Sequence, residues 1–498
     1  MLNRSTLTKT FLLLLGALAV PGFTAEQFLV KDGQPQAEII ISTTPARSTR
    51  LAAHELQTYI EKISGARLPI RFEPAGNVPV QVYVGRSPHT DRLKVTPDKL
   101  KYGAYRMVSG DGWLVLTGDD TDFVPVEPWA KNNNDRATGK LQREWDEITG
   151  AKWGVPNGGM YKNQIRMPAD IGLPEGTETT EKTMTVWSFD ERGSFNAVCG
   201  FLRSLGVRWY QPGELGEVVP RQATIALPAL DETVQPDFPV RQFNIRFGVY
   251  GLDTAMWAMR LGTRDVNGIQ TAHGLDTMTH RNEIFEAHPE WFALYGGRRQ
   301  TQPGQRLNQL CYENEGLIDA TVKYVRAQFD HYDTDIVSVM PPDGYTAICQ
   351  CPLCEGKDTP ERPDRGRLSD YVWTFVNRVA KEVRKTHPDK KISCCAYGVY
   401  TLPPQKIQKL EPNVVVIIVG GRRPTYENQQ ELARLRADWA AKTDNPIMIF
   451  ENYPFTGRGW YLPSYQPHVL GDSINATKGI SMGEDIWLTI RQDFDRVA

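Results

Sequence analysis

Three apolar runs in this 498-residue chain end in carboxylic acids. DIVSVMPPDG ends at Asp343, PIMIFENY at Glu451 with Asn452 and Tyr453, and GISMGEDIW at Glu484 and Asp485 with Trp487 just beyond. Apolar runs of this length that stop at polar turns read as buried strands, so each acid stands at a strand end. Two carboxyls flanking one open site can share the cleavage of a glycosidic bond. One protonates the departing oxygen; the other acts as base or nucleophile, or steers a substrate acetamide. We expect Asp343 to take one of these roles and Glu451 or Glu484 the other. Around them, Tyr397, Tyr400, Asn452 and Trp487 would shape a sugar subsite, and Arg246 and His273 would bind hydroxyl or carboxylate groups. Each acid alone has an ordinary explanation: Asp before Gly is a common turn residue, and a strand-end Glu often pairs with a cation. The set carries more than its members.

Six residues after Asp343 begins Cys349-x-Cys351-x-x-Cys354, and Cys311 lies upstream. Four thiolates of this kind can hold zinc tetrahedrally, but the spacing lacks a second paired knuckle. In an oxidising compartment disulfides are open to them, and the total of seven cysteines leaves at least one unpaired within the chain. We expect Cys311, Cys349, Cys351 and Cys354 to form a structural brace, by disulfide or packed thiols, that aims the loop carrying Asp343. A structural metal is the alternative; no cofactor and no catalytic metal are expected. Cys394 and Cys395 are adjacent within a strand, so they face opposite sides and read as core.

The elements that must position these groups form a regular series. Eight strand-like runs fall at 240–247, 266–272, 306–312, 335–341, 391–400, 413–420, 446–453 and 479–485, with helical patterns between most of them. The clearest helix is RLSDYVWTFVNRVAKEVRK, with Ser369 as N-cap and Val372, Phe375, Val376, Val379 and Val383 on one face. Eight such units predict a (β/α)8 barrel over residues 236–498, with its active site at the strand C-termini. The alternative is an open doubly wound sheet, but no glycine-rich phosphate loop follows a strand.

Residues 26–235 predict a smaller mixed α/β accessory domain. AEIIIS is a strand; Leu51, Ala52, Leu56, Tyr59, Ile60 and Ile63 recur at helical spacing before Gly65, a C-terminal cap. VQVYVG is a second strand, and Gly110-Asp111-Gly112 turns a hairpin. Polar, loop-like sequence over about 126–183 interrupts this unit, as either a functional insertion or a surface elaboration.

Composition bounds the rest. The chain is 40% hydrophobic and 23% charged with a net charge of −2, and its charges are interspersed, so no basic stripe suggests nucleic acid. Residues 1–25 carry Arg4 and Lys9, a short apolar run and small residues before Glu26, the pattern of a secretory signal peptide. A secreted or periplasmic protein is expected, with no membrane span after signal removal and a carbohydrate as its partner. Twelve Trp and nineteen Tyr supply both core and sugar-stacking faces.

Several stretches resemble a known family. STRLAAHELQTYIEKISGARLPI and GSFNAVCGFLRSLGVRWYQPGELGEVVP resemble the domain that precedes α-glucuronidase and hexosaminidase barrels. FEAHPEWFALYGGRR, LNQLCYENEG, VSVMPPDGYTAICQCPLC and PIMIFENYP resemble the domain-of-unknown-function family 4838, part of which is classed as glycoside hydrolase family 163. The resemblance implies an exported carbohydrate-active barrel enzyme, with endo-β-N-acetylglucosaminidase action on N-glycans known in part of the family. Pro342 stands where relatives tend to show Asn. The expectation is therefore a retaining glycosidase of N-acetylhexosamine-bearing glycans, with substrate-acetamide assistance. An α-glucuronidase-like exo-hydrolase using Arg246, and a catalytically silent glycan-binding protein, are the alternatives.

Overall fold

The computed structural model describes residues 26–156, 160–243, 247–267, 269, 273–301, 308–332, 334–421, 425–451 and 467–486. The expected signal peptide lies outside the described residues. No helix among the described residues is long and apolar enough to cross a membrane.

The first unit is a mixed α/β layer. Its strands are β1 (Ala37–Ile40), β2 (Ile70–Arg71), β3 (Val80–Val84), β4 (Tyr105–Gly110), β5 (Trp113–Gly118) and β6 (Asp231–Val234), in the sheet order β6-β4-β5-β3-β1-β2. Helices α1 (Arg47–Ser64) and α2 (Gly193–Ser204) pack together against it. The α1 face expected from spacing is the buried one, and Gly65 ends the helix at φ 79, the left-handed conformation that glycine adopts without a Cβ clash. The core of this unit also takes in Ala255, Met256, Ala258 and Met259, which belong to the helix after the first strand of the second unit. At that seam Arg260 pairs with buried Glu55 through Nε at 2.8 Å and with Glu217 at 3.1 Å.

The interrupting segment is not a surface elaboration. It contains a helix over Lys140–Thr149 and a two-stranded sheet of Gln164–Pro168 with Thr183–Trp187. Trp129, Trp145 and Trp153 are buried in the core of the second unit. The Trp145 ring meets Tyr324 and Tyr332 edge-on, and the Asp146 carboxylate accepts from Arg281 Nη1 at 2.6 Å. Polar sequence around scattered tryptophans hid this: the tryptophans are anchors.

The second unit is built on β7 (Val240–Phe243), β8 (Ile336–Ser338), β9 (Lys391–Ala396), β10 (Val414–Val419), β11 (Ile447–Glu451) and β12 (Ser481–Ile486). All adjacent pairs are parallel, in the order β7-β12-β11-β10-β9-β8. This is a half-barrel sheet in which the first strand pairs with the last. A doubly wound sheet reverses its strand order near the middle, and this one does not. Of the eight expected strands, the run 266–272 falls largely outside the described residues. The described part of 306–312 contributes one antiparallel bridge, Leu310 to Phe292.

Helices α3 (Gly274–Thr279), α4 (Glu315–His331), α5 (Ser369–Arg384) and α6 (Tyr426–Lys442) lie between strands. The Asn314 side chain caps α4 by accepting from the Leu317 amide at 3.0 Å. The five apolar residues expected on one face of α5 are all buried, each contributing roughly 1.5–3 kcal/mol of burial. Ser369 is the first helical residue rather than the N-cap; Leu368 holds that position and no side chain caps the helix.

Gly483 makes the closing pair possible. Its φ is 128°, and a Cβ there would sit 1.8 Å from the Val240 carbonyl oxygen. Only glycine lets β12 lie so close to β7.

Candidate active site

Asp343 follows β8 in a turn completed by Gly344 at φ 73. Gln309 fixes the turn from below: its Nε2 donates to the Asp343 carbonyl oxygen at 2.6 Å. The Asp343 carboxylate accepts from the Gly344 amide at 2.8 Å and is 46% exposed, so it faces open space while its backbone is held.

His273 reaches the same place from the start of α3, which docks on the end of β8 through the Leu275 amide and the Met340 carbonyl at 3.2 Å. His273 Nδ1 lies 2.6 Å from the Pro341 carbonyl oxygen, and Nε2 lies 3.8 Å from Asp343 Oδ1. A carbonyl only accepts, so Nδ1 carries the proton, and Nε2 is left to exchange one on the Asp343 side. Tyr397, in extended conformation just after β9, completes the group. Its ring lies 6.4 Å from that of His273, on the Asp343 side of the loop. Burial, and then the Asp343 charge, push the Tyr397 phenol above its usual range.

Strand register adds a carboxylate. Cys395, Ile417, Met448 and Gly483 are paired in sequence across the sheet, and side chains alternate faces along each strand. Two residues further on, Tyr397, Val419, Phe450, Asp485 and Gln242 form the next layer of the same face. Burial, and then the Asp485 charge, push the Cys395 thiol above its usual range. Asp485 therefore points to the same side as Tyr397.

The same alternation bears on two further acids. By register Glu451 and Glu484 point to the other face of the sheet from Asp485; all three are buried, to 1%, 5% and 1% exposure. The Glu451 carboxylate stands against Gly420, where a Cβ would fall 2.4 Å from Oε2. Tyr400 is buried too: its ring lies 6.3 Å from that of Tyr345 and its carbonyl accepts from Trp373 Nε1 at 3.1 Å, which makes it a core residue. The structure thus brings together Asp343, His273 and Tyr397, and leaves Glu451, Glu484 and Tyr400 apart from them. Arg246, Asn452 and Trp487 lie outside the described residues. The sequence reading named Asp485 as a strand-end acid but gave it no role, and it passed over Gln242 and Gln309. In Gly483-Glu484-Asp485 either acid ends the strand equally well, and only the register chooses between them.

All seven cysteines are free, so of the two forms of brace expected, disulfide or packed thiols, the structure has the thiols. Cys311, Cys349, Cys351 and Cys354 gather, with their sulfurs all within 4.8 Å of one another. Hydrogen bonds from Cys311 and Cys354 hold the Cys349 thiol below its usual range. Cys394 and Cys395 are buried core residues, as expected.

Fold and site define a mixed α/β protein with a parallel half-barrel sheet and polar groups gathered at its strand C-termini. The chain belongs to the family described as Domain of unknown function (DUF4838), whose model matches residues 210–482. No curated protein matches it. Among solved structures, it is similar to a family GH115 4-O-methyl-α-glucuronidase with specificity for decorated arabinogalactans, at 13% identity and TM-score 0.43, covering 93% of this chain and 55% of that one. It is also similar to the GH20 β-N-acetylhexosaminidase of Streptomyces coelicolor A3(2), at 11% identity and TM-score 0.41, covering 93% of this chain and 83% of that one. A mutant Streptomyces plicatus β-hexosaminidase in complex with GlcNAc gives 12% identity and TM-score 0.40, covering 92% and 83%. The chain spans about half the length of the glucuronidase.

Proposed function

We propose that this chain is an exported glycoside hydrolase acting on N-acetylhexosamine-containing glycans at the mouth of a (β/α)8 barrel. The observation that carries the reading is Asp343 between His273 and Tyr397 at a strand C-terminus, with Asp485 on the same sheet face. A half-exposed carboxylate with a tyrosine and a histidine beside it is suited to a substrate; a structural ion pair would be covered.

Asp343, accepting from the Gly344 amide, works as an anion in this reading. It polarises the substrate acetamide, whose oxygen attacks the anomeric carbon. The bond from that carbon to the departing oxygen breaks, and Asp485 supplies the proton that oxygen needs. Water then opens the cyclic intermediate and Asp485 takes a proton back. His273 orients Asp343, and the reaction needs no cofactor.

The test is to incubate the purified chain with an N-glycoprotein and, separately, with glucuronoxylan, and to identify released sugars by mass spectrometry. Products carrying an N-acetylhexosamine reducing end support the reading. Release of uronic acid alone, or of nothing from either, sinks it.

A further inference from the structure

We propose that Cys311, Cys349, Cys351 and Cys354 form a structural zinc site. The three sulfur separations among Cys311, Cys351 and Cys354 are 3.5, 3.5 and 3.6 Å. Zinc–thiolate bonds of about 2.3 Å in a tetrahedron set sulfur–sulfur edges of about 3.8 Å. Disulfide bonding draws sulfurs into pairs near 2.05 Å and has no use for a third and fourth at equal distance. Three near-equal edges, with Cys349 Sγ within 4.8 Å of the other three, suit one shared ion. Cys351 and Cys354 share a tight turn closed by the Cys354 amide and the Cys351 carbonyl at 3.0 Å, which is how a two-residue spacing offers two sulfurs to one ion.

The surroundings are those of thiolates. Zinc displaces the four thiol protons and leaves a site of net negative charge, which needs donors. The Leu294 amide points at Cys349 Sγ from 3.3 Å, and Arg299 Nη1 stands 4.0 Å from the same sulfur. The Tyr371 hydroxyl lies 3.1 Å from Cys354 Sγ and accepts the Tyr312 amide at 3.0 Å, so its own proton is free for the sulfur. Such outer partners orient metal ligands and offset their charge. All four cysteines are buried, which leaves no open coordination position and makes the site structural. It ties Cys311, before α4, to the loop that leaves Asp343. It stands apart from the glycosidase reading: a metal-free active enzyme and a zinc-loaded inactive protein would each refute one and spare the other.

The test uses the full chain purified without chelator or reductant. Metal content is measured by plasma mass spectrometry, and thiols are counted by alkylation after denaturation. About one zinc per chain, with all seven cysteines alkylated, is the expected result. Exchange for cobalt should give the visible absorption of a tetrahedral thiolate complex. Cys354→His, which keeps a ligand, should retain zinc, as should Cys199→Ala far from the cluster, whereas Cys354→Ala should lose it. Should Cys354→Ala fail to fold, the metal content and cobalt spectrum of the unmodified chain decide the matter alone. Folded protein holding less than roughly a tenth of a zinc per chain after dialysis into zinc buffer, another metal in its place, or a disulfide among the four overturns the proposal.

Discussion

His273 Nε2 stands 3.8 Å from Asp343 Oδ1 while the opposite ring nitrogen is committed to the Pro341 carbonyl at 2.6 Å. The backbone of the Asp343 loop thus selects the tautomer of the histidine that faces the Asp343 side chain. That contact ties the ring to the Asp343 loop and makes His273 a positioning residue in this reading. Replacing it with Ala should lower kcat by roughly ten- to a hundredfold. KM should change little, because His273 acts through Asp343. Steady-state kinetics checks the split; a rise in KM at constant kcat would mean that His273 only binds sugar.

Gly483 closes the sheet by lying where a Cβ would meet the Val240 carbonyl at 1.8 Å, at φ 128. Gly483→Ala should destabilise the protein by about 2–4 kcal/mol. It should also reduce activity in the fraction that folds, because Asp485 is two residues away on the same face. Urea unfolding measures the first effect. A stability unchanged from the parent would mean that β7 and β12 are not in close contact.

Partly buried Asp120 gives a pH prediction. Burial pushes its carboxyl up to about 6, against hydrogen bonds from Ser194 and Thr49 that favour the anion. A folded pKa above the unfolded value of 3.8 means that the native state binds the extra proton. The stability contributed by this group therefore rises as pH falls from about 6 toward 4, by at most about 3 kcal/mol. Asp120→Asn should remove that component. Comparing the two proteins by urea unfolding at pH 7 and pH 5 isolates it from Asp265, which burial also raises to about 6. Parallel pH profiles would contradict the burial of a titrating Asp120.

Much of this was legible in the sequence for a physical reason: buried parallel strands are continuous apolar runs, and their ends are marked by polar turns. KISCCA, VVVIIV and PIMIF announce themselves, and Asp343 is visible as the acid after such a run. Which face an acid takes was not legible. Glu484 and Asp485 are neighbours, and a shift of one residue in register exchanges them. The tryptophans of the 126–183 segment have no periodicity that betrays their burial against α4. The cysteine cluster was half visible: Cys349-x-Cys351-x-x-Cys354 is local, but Cys311 joins it only through the fold.

The most direct measurement is sugar release from an N-glycoprotein by the parent chain and by Asp343→Asn, Asp485→Asn, Glu451→Gln and Glu484→Gln, each shown to be folded by circular dichroism. Asp343→Asn and Asp485→Asn should lose roughly a hundred- to ten-thousandfold in kcat, while folded Glu451→Gln and Glu484→Gln keep turnover within roughly tenfold. Full turnover by Asp343→Asn, or loss confined to the two glutamate variants, would contradict a catalytic site built on Asp343 and Asp485.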